Sequence, residues 1–388
     1  MERLVRTIRV AKPRTTLGFA FLGRVRSGWA ALLSIYAQFF HSSGRCALNP
    51  CDRCLDQALG ESDICVLEVN RSHSEVAYDI ATTCSGVGLR VCLVLNALAL
   101  RERGLPSFRD FSQDVRVVFL PRRRFSRVVY QLNKHNTNTI ASSAVDYWRW
   151  SAPLGIGMLK SINQSVRVVS ARHSKSEQPI FPERGAQNEL LMADWYGEGA
   201  VQQHVYRPTF PNRGATCPAV PRSVVVVGAV GKDFESLVAA SLSAPTVVHI
   251  VGPIGRSHRR LLKKYGNPQQ VVLHGPLTDD RLYALIQKCS YILGPIEVSN
   301  YLGERVSGAR QLSLGFVRPL VINPVLASEW GLPTNSYLPT DTLAFGLDEV
   351  ANEHCEIYRS RMDALLAQRE RWRRQNVDAL RSLFDNFS

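Results

Sequence analysis

The chain has 388 residues, 45% of them hydrophobic and 21% charged, which suits a folded protein of two domains and excludes a wholly disordered one. With 26 glycines, 20 prolines and no internal repeat, collagen-like and low-complexity architectures are excluded too. The 47 basic and 33 acidic residues leave a net charge of +14, which raises nucleic acid, a membrane surface or an anionic substrate as partner.

Residues 1–45 carry eight Arg or Lys and one acid, Glu2. This Arg-rich, Ser/Thr-containing stretch reads as a targeting or anchor segment. Its apolar run, Trp29 to Phe40, is too short to span a bilayer, and Arg24 and Arg26 interrupt any longer one. A transit peptide, a signal-peptide core, a short signal anchor, an interfacial helix and an extra helix packed on the domain all stay open. The segment points to a membrane surface as partner and to an organellar or secretory-pathway location, with a cytoplasmic one left open. The other basic clusters are Arg122–Arg124 with Arg127, Arg256–Lys264 and Arg369–Arg374. None is interleaved with aromatics in the manner of a single-strand platform, and no zinc-finger or RNP pattern occurs, so no nucleic-acid partner is expected.

Nine cysteines, an odd number, do not make a disulfide framework. Cys46, Cys51, Cys54 and Cys84 coincide with a plant-type iron–sulfur spacing, but the loop lacks small residues to wrap a cluster and Cys84 falls in a helical pattern. For Cys51 and Cys54 a local zinc site, a disulfide and plain thiols stay open. Cys65, Cys92 and Cys289 lie in or beside apolar runs and are expected to be buried.

From residue 62 onward, short apolar runs alternate with helical spacing. Strands are expected at Ile64–Val69, Leu89–Leu95, Val115–Leu120 and Val166–Ser170, with helices at Ser74–Cys84 and, as a basic surface helix, Arg122–His135. Pro208, Pro211, Pro218 and Pro221 with Gly214 mark residues 207–222 as a linker. Beyond it the alternation restarts. Strands are expected at Val224–Val227, Val247–Val251, Val271–Leu273, Tyr291–Leu293 and Leu320–Ile322. Helices are expected at Lys232–Leu242, Ser257–Tyr265, Thr278–Lys288 and Ser307–Gly315. Thr278 reads as an N-cap. Residues 346–388 read as one or two long helices with Leu365, Trp372, Leu380, Leu383 and Phe387 on one stripe. The fold class is α/β, with two Rossmann-like domains (46–206 and 223–345) and a long helical tail packing back on the first. Ligands of such sheets bind outside the carboxyl ends of the strands, so the cleft between two of them is the expected site.

Two loops carry the chemistry. Gly228-Ala229-Val230-Gly231-Lys232-Asp233 follows a strand and opens a helix, where backbone can approach an anion and Lys232 can neutralise it. It matches neither the dinucleotide fingerprint nor the Walker spacing, which argues against a nucleotide-dependent oxidoreductase. The second loop holds Glu297, Tyr301 and Glu304 and ends at Ser307-Gly308, the start of a helix. Ser307 and Gly308 suit a diphosphate through a hydroxyl and helix-terminal N–H groups, and the two acids suit hydroxyls of a sugar or ribose. A surface lysine, solvated acids and a serine that only caps its helix are the plain alternatives. In the first half, His73, Glu75, Asn96, Asp146 and His173 are candidates for the acceptor side, His173 because it follows a strand end.

Residues 222–333 resemble the C-terminal half of GT-B glycosyltransferases of the group 1, family 4-like superfamily. The resemblance rests on Val225-Val226-Val227-Gly228 with Gly231-Lys232-Asp233, on His249-Ile250-Val251-Gly252, on His274-Gly275-Pro276-Leu277, on Ser307-Gly308-Ala309 and on Arg318-Pro319-Leu320-Val321-Ile322. It implies a sugar transferred from a nucleotide-diphosphate donor to an acceptor hydroxyl on a glycan, lipid or protein, with that donor as co-substrate, no other cofactor and no metal. It implies Gly228, Gly231, Lys232, Arg256, Ser307 and Gly308 at the donor phosphates and Glu297 and Glu304 at the sugar or ribose. Inverting transfer would need a base to take the acceptor proton, for which Asp146 or His173 could serve; retaining transfer would lean on the donor phosphate instead, and both stay open. Two details depart from the pattern: Glu297 and Glu304 have six intervening residues rather than seven, and Lys232 lacks the usual preceding Arg unless Arg256 replaces it. A non-catalytic binding protein of the same fold is therefore the alternative.

Overall fold

The computed structural model describes residues 46–69, 74–97, 112–141, 162–163, 165–172, 189–191, 204–228, 234–265, 269–299, 301–302 and 307–385. Residues 1–45 lie outside that set, and with them the targeting or anchor reading. Among the described residues no helix is long and apolar enough to cross a membrane.

The first half runs β1 (Cys46–Leu48), α1 (Asp52–Gly60), β2 (Ile64–Glu68), α2 (Ser74–Gly86), β3 (Val91–Asn96), β4 (Val115–Leu120), α3 (Phe125–His135), β5 (Asn138–Ala141), β6 (Val168–Arg172), β7 (Glu189–Leu191) and β8 (His204–Val205). Its eight strands lie in the order β1-β4-β3-β2-β5-β6-β7-β8, and all their pairings are parallel. Every residue of β2 and β3 is buried, as a parallel sheet covered on both faces requires, so these strands read as unbroken apolar runs. The stretch expected as a basic surface helix is half core. After a 3-10 turn at Arg122–Arg124, Phe125, Val128, Val129 and Leu132 of α3 are buried at helical spacing and pack with Leu55 and Leu59 of α1. Its basic edge faces α1, where Arg124 and Arg127 each reach Asp52 at 2.5 Å and Lys134 reaches Asp56 at 2.7 Å.

The second half runs β9 (Val220–Val227), α4 (Phe234–Ser243), β10 (Val247–Val251), α5 (Arg256–Tyr265), β11 (Val271–Gly275), α6 (Asp279–Lys288), β12 (Cys289–Leu293), α7 (Gly308–Phe316), β13 (Leu320–Ile322), α8 (Pro324–Glu329), β14 (Leu338–Pro339), α9 (Leu343–Asn352) and α10 (Cys355–Asp385). Its six strands are parallel in the order β11-β10-β9-β12-β13-β14. β9 starts at Val220, inside the stretch expected as linker, because Val220 pairs with Cys289 of β12 and carries the strand back past Pro221. Thr278 is the N-cap residue of α6, but its side chain makes no capping hydrogen bond.

In each sheet three consecutive strands (β2, β3, β4 and β9, β10, β11) step outward in one direction, and the next strand pairs on the other side of the first of them. The reversal falls between β2 and β5 in the first sheet and between β9 and β12 in the second. Such reversals open a crevice at the carboxyl ends of the strands.

One apolar cluster runs through both halves, from Val66, Tyr78 and Tyr206 to Leu282, Phe316 and Trp330. α10 joins it along its length. Tyr358 donates to the Ser290 carbonyl at 2.8 Å, Gln368 to the Gly331 carbonyl at 3.3 Å, and Asn376 is bonded both ways to the Arg207 backbone at 2.9 Å. Leu365, Trp372, Leu380 and Leu383 are all buried, and the helix packs on α7 and on α2 and β8. Trp372 stacks under the guanidiniums of Arg207 and Arg310, 5.2 and 5.3 Å from its ring centroid.

Arg318 is a further tie. It is fully buried and donates to the Gln287 carbonyl at 2.7 Å and the Thr216 hydroxyl at 3.0 Å, joining the interdomain segment to the end of α6. Burial pulls its pKa below the usual arginine value. Arg318→Met is expected to cost about 1–3 kcal/mol, because the Gln287 carbonyl loses a charged donor. Urea denaturation would read this as a lower midpoint with an unchanged slope.

Candidate functional site

The strands that frame the second crevice end in glycine. β9 runs into Gly228, β10 into Gly252, β11 ends on Gly275, and β12 runs into Gly294. The ladder continues to this rim: the Gly228 N–H donates to the Val251 carbonyl at 2.9 Å, Gly252 to Gly275 at 3.1 Å and Gly294 to Val321 at 2.9 Å. The result is a ledge of backbone without side chains. Gly252, at φ +149°, lies so close to Gly228 that a Cβ there would stand 2.0 Å from the Gly228 carbonyl oxygen. Over Gly228, Gly275 and Gly308, by contrast, a Cβ would meet nothing within 4 Å, so space stands open above the ledge.

Helices α4, α5, α6 and α7 each follow one of these strands and lead back to the next, so their N-termini and positive dipole ends lie toward the carboxyl-end edge of the sheet. Gly308, the first residue of α7, is exposed. Ser307 is its N-cap and its hydroxyl oxygen accepts from the Ala309 N–H at 3.2 Å. Arg256 is exposed at the start of α5. His258, two residues on, stacks on Phe234 at the start of α4 with ring centroids 4.6 Å apart, and its Nδ1 accepts from the Gly255 N–H at 3.1 Å. Glu297 is exposed on the loop after β12 and accepts from the Ser299 hydroxyl at 2.8 Å. Tyr301 anchors that loop edge-on against buried Trp330, at 6.2 Å between centroids. Gly228, Arg256, Glu297, Ser307 and Gly308 thus all lie in the connections that leave the carboxyl ends of strands of the second sheet. Gly231, Lys232 and Glu304 fall outside the described residues, as do Asp146 and His173 on the acceptor side.

Three features escaped the sequence reading. The first is the glycine ledge as a whole, whose signal was a Gly-Pro pair after each of β10, β11 and β12. The second is His249 beside His274, with Nδ1 and Nε2 3.0 Å apart. Burial pulls both imidazoles below their usual pKa, and for His249 the neighbouring ring adds to it. The third is Glu68, fully buried at the carboxyl end of β2, on the crevice side of the first sheet. An acid closing an apolar β-branched run was its signal. Asn96 ends the neighbouring β3 and donates to the Val69 carbonyl at 2.8 Å.

Among the described residues no three His, Cys, Asp or Glu side chains come together as a metal site would require. Cys84 is buried in α2 while Cys51 and Cys54 are exposed, so the iron–sulfur spacing does not become a cluster.

No family model and no curated protein matches the chain. Solved structures do. Anabaena Alr3699/HepE, in complex with UDP and glucose, superposes with TM-score 0.50 at 11% identity over 83% of this chain and 99% of that one. S. aureus TarM, in complex with Fondaparinux, alpha-GlcNAc-glycerol and UDP, gives TM-score 0.50 at 12% identity over 66% of this chain and 58% of that one. AviGT4, a glycosyltransferase involved in Avilamycin A biosynthesis, gives TM-score 0.46 at 11% identity over 82% and 98%.

Proposed function

From this two-sheet GT-B fold, and from what its second sheet offers a ligand, we propose that the protein is a glycosyltransferase, moving a sugar from a nucleotide-diphosphate donor to an acceptor hydroxyl. The observation that carries the reading is the glycine ledge at a topological reversal, ringed by helix N-termini. A nucleoside lies flat on bare backbone, and its diphosphate meets aligned N–H groups at the start of α7. As the sugar–phosphate bond breaks, negative charge grows on the leaving diphosphate. Those N–H groups, with Arg256 and Lys232, stabilise it there without a metal ion. Glu297 and Glu304 take hydroxyls of the sugar or ribose, and Asp146 or His173 takes the acceptor proton. The UDP in the HepE and TarM complexes makes UDP the first nucleotide to try.

The test is thermal stabilisation by UDP, GDP, ADP, CMP and NAD. A ligand at about 100 times its Kd adds about 2.7 kcal/mol to folding. A rise with one diphosphate names the donor, and a flat response across the panel overturns the reading. Gly308→Val sharpens it. Its side chain enters open space, so the fold is retained, while diphosphate affinity falls at least about tenfold, equivalent to about 1.4 kcal/mol. Titration calorimetry on the folded variant measures that loss.

A further inference from the structure

We propose that Cys51 and Cys54 are a reversible dithiol–disulfide couple, an exchange site on the first half of the fold for low-molecular-weight disulfides. Both thiols are exposed at the first turn of α1, with their sulfurs 2.9 Å apart. A disulfide bond is about 2.05 Å long, so the two sulfurs need to approach by only about 1 Å to reach bonding distance.

The two sulfurs are not equivalent. Cys51 is the N-cap of α1, with extended backbone at φ −63° and ψ 163°, and its sulfur accepts from the Cys54 N–H at 3.3 Å. A helix N-terminus stabilises an anion at that position. The Cys54 thiol and then its N–H hold the Cys51 pKa below the usual thiol value, with the Asp52 charge opposing, while Cys51 pushes that of Cys54 up. Cys51 is therefore the attacking sulfur and Cys54 the resolving one.

The turn is also held in place. The Asn49 N–H donates to the Phe119 carbonyl at 2.7 Å. Arg124 grips the Asn49 side chain at 2.8 Å, the Pro50 carbonyl, and Asp52 at 2.5 Å. Arg127 takes the other Asp52 oxygen at 2.5 Å. Below, Leu55 and Leu59 are fully buried. Arg124 and Arg127 thus fix the residues on either side of Cys51. The buried thiols are the opposite case: desolvation pushes Cys92 up to about 12 and Cys289 up to about 11.

The exchange balances. The Cys51 thiolate attacks one sulfur of the small disulfide and releases a small thiolate, leaving a mixed disulfide on Cys51. Cys54 then gives its proton to solvent and attacks the Cys51 sulfur, releasing the second small thiolate. The protein dithiol is oxidised by two electrons and the small disulfide is reduced to two thiols.

The test equilibrates the reduced full chain with graded ratios of oxidised to reduced glutathione, followed by acid quench, alkylation and peptide mass analysis. Cys51 and Cys54 are expected to lose alkylation together, in one two-electron transition, as a peptide lighter by two hydrogens. Exposed Cys217 and Cys355 give the background reactivity of surface thiols in the same digest. Cys54→Ser should trap one glutathione on Cys51, and Cys51→Ser should react at Cys54 at least about tenfold more slowly. Full alkylation of both residues under oxidising ratios would overturn the proposal. So would a separate glutathione on each, or a zinc ion that shields both from alkylation until chelated.

Discussion

Gly252→Ala is expected to unfold a measurable fraction of the protein and to abolish nucleotide binding in what remains folded. The added Cβ would lie 2.0 Å from the carbonyl oxygen of Gly228 and 2.9 Å from its carbonyl carbon. Both are backbone atoms, so no side chain can swing aside. Gly252 also sits at φ +149°, where an L side chain is strained whatever the space. Gly228 cannot easily retreat, since its own N–H is bonded to Val251, the residue before Gly252. Relief requires the ends of β9 and β10 to part. Strain and overpacking together cost about 2–5 kcal/mol, a large share of a typical stability of about 5–15 kcal/mol. The parting falls on the ledge where the nucleoside is proposed to lie, so binding is lost with it. Gly308→Ala is the matched control: the same methyl meets nothing within 4 Å, and stability should stay within about 0.5 kcal/mol of the parent. Urea denaturation of both variants, with UDP titration of the folded fractions, measures the contrast. Equal stabilities would show that the two strand ends do not approach as described.

The contrast between Gly252 and Gly308 also marks how far sequence carries. Strands buried on both faces announce themselves as apolar runs, so β2, β3, β4 and β10 were legible to within about two residues, the usual uncertainty of element ends. β1, β7, β8 and β14 were not. They have two or three residues each and are held by neighbours rather than by their own pattern. α1 was missed because only Leu55, Ala58 and Leu59 of its nine residues are buried, while Asp52, Arg53 and Cys54 face water. At the site, the start of α7 was legible through Ser307, whose type and place say N-cap. The ledge was legible only in fragments, because its glycines come from four strands scattered over 67 positions, from Gly228 to Gly294, and only the sheet order brings them side by side. Glu68 and the His249–His274 pair were hidden for a related reason. Each is a polar residue in an apolar run, and only the sheet order sets His249 of β10 beside His274 of β11.

Asp79 carries the second large effect, at the seam between the halves. It sits on α2, nearly inaccessible, and accepts from the Tyr206 hydroxyl at 2.6 Å, the Thr209 N–H at 3.0 Å and the Thr209 hydroxyl at 3.3 Å. Those residues begin the segment that leads to the second sheet, and Asn376 of α10 holds Arg207 between them. Asp79→Ala strands a buried N–H and a buried phenol and is expected to cost about 3–5 kcal/mol. Asp79→Asn should cost far less. Its oxygen can still accept from Thr209, and its amide can donate to Tyr206, whose own proton then passes to Thr83, 2.9 Å away. The pH dependence separates charge from shape. Desolvation raises the Asp79 pKa above the usual aspartate value, against the hydrogen bonds that lower it. A carboxyl with a raised folded pKa favours folding most below its unfolded value, about 3.9, and that contribution is lost as pH rises through the folded pKa. The stability of Asp79→Asn relative to the parent must therefore improve as pH increases above about 4, a trend that urea denaturation at a series of pH values would show. A constant difference would mean that the carboxyl titrates alike in both states. The functional consequence is separable from stability. The ledge lies wholly in the second sheet, so Asp79→Ala, held well below its melting temperature, should keep any nucleotide affinity while the proposed transfer falls, because the first half, proposed to hold the acceptor, is no longer fixed against it.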